Sequence, residues 1–291
     1  MNTIYGLIGK PLTHSFSKKY FTEKFEKENI SDCEYNLYPI EQIDQLPQLI
    51  ADNTTLRGLN VTIPYKESII PFLDDLDETA KAVGAVNCVK VKRREPLPTS
   101  PMGRSSNTPA DTEIFSMEKP PPQSLSRQRR GGGKEGLLIG YNTDVYGFRQ
   151  SIKPFLEMQH EQALILGTGG ASKAVAFVLK EIGIDCYFVS RQRQQEINNN
   201  LFLYEELNEN IINAFKLIVN TSPVGMYPSI NEAPEIPYQY ISPAHLLYDL
   251  VYNPAETEFL KRGKSQGATT VNGLSMLHQQ AEEAWRIWNL P

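Results

Sequence analysis

The sequence predicts an α/β protein of two domains, and three observations carry that expectation. Short β-rich runs alternate with helix-patterned segments almost from end to end, the signature of strands joined by crossover helices. One apolar run leads through a glycine-rich turn straight into a helix pattern at 163–172. A chain of 291 residues also has room for two domains of ordinary size.

In the first part, strands are expected at Ile4–Ile8, Glu34–Tyr38, Leu59–Ile63 and Cys88–Val91, with helices near Ser17–Glu28, Ile40–Ala51 and Asp77–Val83. A second series begins with a strand at Ala163–Leu166 and a helix at Ala171–Ile182. Strands at Cys186–Val189, Leu217–Val219 and Leu246–Leu250 follow. The alternation argues for parallel sheets in both series. The last long segment, Leu274–Trp288, carries Leu274, Leu277, Ala281, Ala284 and Trp288 at helical spacing, the pattern of an amphipathic helix.

One stretch breaks the pattern. From Lys92 to Glu135 the chain has Pro96, Pro98, Pro101, Pro109 and the run Pro120–Pro122, then Arg127, Arg129, Arg130 and Gly131–Gly133. Such a composition buries too little surface to offset its ordering entropy, so a flexible insertion is expected. It separates two β-like runs, Asn87–Val91 and Leu137–Gly140, that a hairpin turn would suffice to join. The alternative is a docking peptide built on the triple proline and the basic cluster.

Composition narrows the function classes. A net charge of −5 creates no basic field for nucleic acid. No apolar run approaches the roughly 20 residues of a membrane helix, and the opening MNTIYGLIGK lacks the basic start of a secretory signal. Cys33, Cys88 and Cys186 lie far apart and the four histidines are scattered, so neither a disulfide framework nor a metal site is expected. A cytoplasmic enzyme acting on a small molecule fits best, as monomer or homodimer.

The segment Ala163-Leu-Ile-Leu-Gly167-Thr-Gly169-Gly170-Ala171-Ser172 carries the first chemical signal. Gly167 permits a tight turn and Gly169 lets backbone N–H groups approach a pyrophosphate, with Gly170 and Ala171 opening a helix whose positive end faces the phosphate. This reads as a Rossmann-like dinucleotide-binding unit, with Ser172 at its third small position. Some twenty residues on stand Ser190, Arg191, Gln192 and Arg193. An NAD site places a carboxylate there for the ribose 2′-hydroxyl; two guanidinium groups suit a 2′-phosphate instead, and point to NADP.

Three further motifs flank the expected strands. Gly9-Lys-Pro-Leu-Thr-His-Ser15-Phe-Ser17 precedes a helix, where Ser15 and Ser17 are placed either to hold a carboxylate or to cap the helix. Asn60-Val-Thr62-Ile-Pro-Tyr-Lys66-Glu67 puts alternating polar side chains on one strand face, followed by a lysine that alone would read as surface charge. Gly140-Tyr-Asn-Thr143-Asp144 opens a helix with Thr143 or Asp144 near its cap. Together with GAVN, NTSPVGMYP, YDLVYNP and NGLSMLHQQA, these motifs run in order through nearly the whole chain, and the sequence resembles the shikimate dehydrogenase family. Only 92–135 lacks a counterpart, and Lys18 stands where the family usually has proline.

The resemblance implies a substrate-binding α/β domain (1–143 and 273–291) and a Rossmann-like NADP-binding domain (144–272). It implies reversible NADPH-dependent reduction of 3-dehydroshikimate to shikimate, on the chorismate route to aromatic amino acids. Carried over, Ser15 and Ser17 would hold the substrate carboxylate, with Asn60 and Thr62 lining the pocket. Lys66 and Asp144 would be the catalytic pair. Asn87 and Gln280 would bond ring hydroxyls with Tyr252 nearby, while Ser190, Thr221, Gly273 and Met276 would join the cofactor site. The rival readings are a quinate/shikimate dehydrogenase using NAD or NADP, and a non-catalytic NADP sensor, which would have no need of the Lys66–Asp144 pair.

Overall fold

The computed structural model describes residues 2–12, 16–93, 136–193 and 200–291, and within them two six-stranded sheets. The first is made of β1 (Thr3–Gly9), β2 (Cys33–Pro39), β3 (Leu56–Val61), β4 (Asp75–Leu76), β5 (Cys88–Arg93) and β6 (Gly136–Tyr141), in the order β2-β1-β3-β5-β6-β4. β1 runs parallel to β2 and β3, through the crossover helices α1 (Phe16–Lys27) and α2 (Leu46–Asp52). β5 is antiparallel to both β3 and β6. This sheet is therefore mixed, not parallel as the alternation suggests, because adjacent strands that pair directly as a hairpin must run antiparallel.

Two short elements lead into the second half: α3 (Glu78–Val83), and α4 (Thr143–Ile152) directly after β6. The second sheet is then parallel throughout: β7 (Gln162–Leu166), β8 (Asp185–Ser190), β9 (Leu201–Leu203), β10 (Leu217–Asn220), β11 (Leu246–Asp249) and β12 (Thr269–Val271). Their order, β9-β8-β7-β10-β11-β12, is that of the doubly wound dinucleotide fold, with its switch point between β7 and β10. α5 (Gly170–Glu181), α6 (Glu209–Ala214) and α7 (Glu258–Ser265) supply connections, and α8 (Leu274–Trp288) closes the series.

Departures from the sequence reading have local causes. The helix expected from Ile40 starts only at Leu46, after a 3₁₀ turn at Ile43–Gln45, since Pro47 is tolerated in a first turn and not further inside. The strand expected at Leu59–Ile63 ends at Val61, where Tyr65 N–H donates back to the Thr62 carbonyl (2.9 Å) and turns the chain. β4, β9, α6, α7 and β12 are too short to show a period that sequence can reveal.

α8 ties the halves together. Its Met276 lies in the core cluster of β7, α4 and α5, while Ala281, Ala284, Ile287 and Trp288 belong to the cluster of Tyr5, Phe21 and Tyr35 on the first sheet. Trp288 lies across Gly58, where any Cβ would run into the indole, and donates to the Val89 carbonyl (3.1 Å). α4 packs as tightly on α8: a Cβ at Gly147 would stand 2.6 Å from the Met276 carbonyl oxygen.

The β5–β6 ladder runs out to the pair Arg93–Gly136. The proline-, arginine- and glycine-rich stretch and the readings attached to it lie outside the described residues. Because its flanking strands are already in register, replacing 94–135 with a short glycine-containing turn should leave the fold and turnover intact. Loop closure depends weakly on length, so the expected gain is at most about 1–2 kcal/mol. Thermal midpoint and turnover of the shortened chain check this; collapse of either would show that the stretch packs on the protein.

Candidate active site

The turn after β3 and the start of α4 meet at one ion pair. Lys66 Nζ stands 2.6 Å from Asp144 Oδ2, with the side chains 18% and 3% exposed. The Lys66 backbone is pinned as well, its carbonyl accepting from Val86 N–H (2.7 Å). Asn142, not Thr143 or Asp144, caps α4: its side chain accepts from Val145 N–H (3.3 Å) and donates to the Ala85 carbonyl (2.9 Å). With capping done by its neighbour, the Asp144 carboxylate is left for the lysine. A half-buried pair of this kind contributes little net stability after desolvation, which favours a chemical reason for its presence.

Polar side chains converge beside the pair. Asn87 donates to Gln280 Oε1 (3.1 Å) and accepts from Thr143 N–H (2.7 Å) and its hydroxyl (3.2 Å). Asn60 accepts from the Tyr35 hydroxyl (2.7 Å) and donates to the Asn87 carbonyl (3.4 Å), and the Ser17 side chain meets that same phenol. Thr62 is anchored by its N–H to the Ile8 carbonyl (3.0 Å), with its methyl filling the space above Gly9. Tyr252 packs edge-on against Phe16 (5.6 Å between centroids) at the start of α1. Ser15 lies outside the described residues.

On the other side stands the glycine turn at the switch point. Gly167 has φ +116°, and a Cβ there would stand 2.9 Å from Thr221 Oγ1, so Thr221 and the turn fit together only through glycine. Thr221 is held by two bonds to the Leu166 carbonyl. A Cβ on Gly169 would meet nothing within 4 Å, and Gly169 gives α5 no side-chain cap. The N-terminus of α5 thus opens onto space at Gly169 and has no side-chain cap, which fits a pyrophosphate. Ser172 is occupied otherwise, its hydroxyl donating to the Gly169 carbonyl (2.6 Å).

The two sides touch. A Cβ on Gly170 would come within 3.2 Å of Lys66 Cβ, and Lys173 of α5 pairs with Glu67 (2.6 Å). Ser190 ends β8, its Oγ accepting from Gln192 N–H (3.3 Å). Arg191 is exposed, its charge acting on Tyr204. Arg193 is committed elsewhere, to Glu206 and the Leu201 carbonyl, which leaves Arg191 as the better placed of the two arginines for a 2′-phosphate. Gly273 lies hard against the Leu250 carbonyl, where a side chain would not fit. Met276 is buried in the core cluster of β7, α4 and α5.

Residues 7–89 match the family model for the shikimate dehydrogenase substrate binding domain. A shikimate dehydrogenase (NADP(+)) of Methanosphaera stadtmanae is 34% identical over 98% of this chain and 90% of its own. The chain belongs to the shikimate dehydrogenase family. Shikimate dehydrogenase 1 of Peptoclostridium difficile shares the fold at a TM-score of 0.73, with 33% identity over 99% of this chain and 91% of that one. The Thermus thermophilus enzyme solved with NADP(H) and shikimate aligns at a TM-score of 0.74, with 26% identity over 99% and 93%.

The chain also carries a buried network that sequence reasoning missed. Asp249, at the end of β11, accepts from Asn220 Nδ2 (3.0 Å), Val251 N–H (3.0 Å) and the Thr257 hydroxyl (2.5 Å), with all three side chains fully buried. Asn220 in turn accepts from the backbone and hydroxyl of Ser222. One carboxylate therefore joins the loop that carries Thr221 to the one that carries Tyr252. A lone carboxylate in the middle of the apolar run LLYDLVY is its signal in the sequence. Tyr35 leaves no such trace, since its partners lie far along the chain.

Burial lifts the Asp249 carboxyl to about 6, with its hydrogen bonds acting against the rise. A carboxyl raised on folding stabilises the fold fully below its unfolded value, and that contribution is lost as pH climbs through about 6. Asp249→Asn keeps the shape and does not titrate. The parent should therefore lose about 2 kcal/mol relative to the variant between pH 4 and pH 8. Denaturant titrations across that range check this; parallel stability profiles would disprove it.

Proposed function

We propose that this chain catalyses reversible NADPH-dependent reduction of 3-dehydroshikimate to shikimate, on the route to chorismate and the aromatic amino acids. The Lys66–Asp144 pair carries the reading, because it sits between the polar cluster of Asn60, Asn87 and Gln280 and the first turn of α5. A cofactor-binding sensor has no use for such a pair. In this reading 1–143 and 273–291 bind substrate and 144–272 bind NADP. The three cysteines, all free thiols, suit a reducing cytoplasm.

Bound NADPH supplies the hydride to the ring carbonyl. As that carbon is reduced, negative charge builds on oxygen, and the Lys66 ammonium stabilises it and delivers the proton that completes the alcohol. In the reverse direction Lys66 takes the hydroxyl proton. Asp144 holds the amine in place through both halves. Ser15 and Ser17, with Asn60 and Thr62, fix the substrate carboxylate. Asn87 and Gln280 bond the ring hydroxyls, and Tyr252 borders the same pocket. Substrates with a misplaced hydroxyl would leave these amides unpaired, a strong basis for rejection. Gly167, Gly169, Gly170, Ala171 and Thr221 would hold the pyrophosphate side of the cofactor, Ser190 and Arg191 would meet its 2′-phosphate, and Gly273 and Met276 would border the nicotinamide.

Shikimate oxidation with NADP should be readily measured, and turnover should fall by about 10³-fold or more in Lys66→Ala with far less change in KM. Asp144→Asn should behave alike, and the double variant should be little worse than either single one, because the two act as a unit. Near-normal turnover in either would refute the assignment.

NADP should be strongly preferred over NAD. Arg191→Ala should raise the KM for NADP by about tenfold while that for NAD moves little, since only NADP bears the 2′-phosphate. Equal losses for both cofactors would make Arg191 structural.

A further inference from the structure

Tyr35 is absent from every motif above, yet it lies beneath two residues of the carboxylate pocket. It sits on β2, is 4% exposed, and stacks on Phe21 of α1 (4.6 Å between centroids, 12° between planes). Its hydroxyl donates to Asn60 Oδ1 at 2.7 Å and is met by the Ser17 side chain. The phenol is lifted well above its ordinary value by burial, with the Ser17 contact opposing that rise, so it serves as a neutral donor and acceptor.

These bonds fix which atoms the pocket presents. The Asn87 carbonyl beside Asn60 only accepts, so the nitrogen of the Asn60 amide must face it, and the oxygen must face Tyr35. Half of that amide's capacity is thereby used up, leaving one N–H and one oxygen lone pair, of which the N–H is the one an anion can take. Ser17 has a single O–H. With no ligand the Tyr35 oxygen accepts it; when an anion arrives, that proton turns to the stronger acceptor.

We propose that Tyr35 is a positioning residue for anion recognition, its hydroxyl setting Asn60 and Ser17 as donors toward the substrate carboxylate. This rests on the reading that Ser17 and Asn60 face that carboxylate. With phenylalanine at position 35 only the long bond to the Asn87 carbonyl (3.4 Å) is left to resist a flip of the Asn60 amide, and Ser17 loses its resting partner. The loss falls on binding of the charged group and not on hydride transfer, which occurs at a different ring carbon.

The test compares Tyr35→Phe with the parent, using shikimate and its methyl ester, which lacks the charge. The ring stack on Phe21 survives the substitution. The KM for shikimate should rise about tenfold, the worth of one hydrogen bond to a charged group. Turnover and the KM for NADP should stay within about twofold, and the KM of the ester (or its competitive inhibition constant) within about threefold. An unchanged KM for shikimate, or equal losses for acid and ester, would overturn the proposal. Failure of the parent itself to oxidise shikimate would instead overturn the function reading.

Should Tyr35→Phe fail to fold by circular dichroism, Asn60→Asp tests the premise on which the role of Tyr35 rests, that residue 60 faces the substrate anion. A carboxylate there has no donor to offer. Repulsion should raise the KM for shikimate by about a hundredfold or more and the KM of the uncharged ester far less, given the several kcal/mol that facing like charges cost. Equal effects on acid and ester would show that residue 60 does not face the carboxylate, and would overturn the proposal.

Discussion

The first turn of α4 is the constraint on which the site depends. Asn142 caps the helix and, with its other end, holds the Ala85 carbonyl. Thr143 gives its N–H and hydroxyl to Asn87, and Asp144 gives its carboxylate to Lys66. Three consecutive residues therefore fix the cap, the Asn87 amide and the Lys66 ammonium. A helix start is well suited to this, since its rigid backbone aims successive side chains in different directions while its dipole favours a carboxylate. A shift of α4 would misplace all three together.

α8 keeps α4 where it is. It shares a core cluster with the parallel sheet through Met276 and with the mixed sheet through Trp288, and it touches α4 closely at Gly147. Gln280 lies on the same helix, bonded to Asn87. One helix thus links the packing of both sheets to the polar cluster. The buried Asp249 network does comparable work opposite, joining the loops of Thr221 and Tyr252 through hydrogen bonds that water cannot compete for.

Local patterns made much of this legible. The glycine turn after an apolar strand identified the dinucleotide unit, and its order within the sheet follows the expected doubly wound plan. The Lys66–Asp144 contact came from motif resemblance, and the model brings the two together across 78 residues of chain. Arg191 and Arg193, two residues apart, both suit a 2′-phosphate by residue type, with Arg193 the weaker candidate. Only the fold reveals that Glu206 and the Leu201 carbonyl occupy one of them. The cap of α4 was placed one or two residues too far along, since Asn142, Thr143 and Asp144 are all residue types that cap and the backbone alone decides among them.

What the sequence determined by itself were properties that depend on near neighbours: the strand–turn–helix alternation, the absence of a carboxylate after β8, and the apolar stripe of α8. These follow from periodicity and backbone preference, which act over a few residues. Tertiary structure decided the rest. It chose antiparallel pairing for β5, set Tyr35 under Asn60, buried Asp249 among three donors and laid Gly170 against Lys66. Hydrogen bonds and close contacts between distant segments exist only once both backbones are fixed within a few tenths of an ångström, and that precision comes from packing.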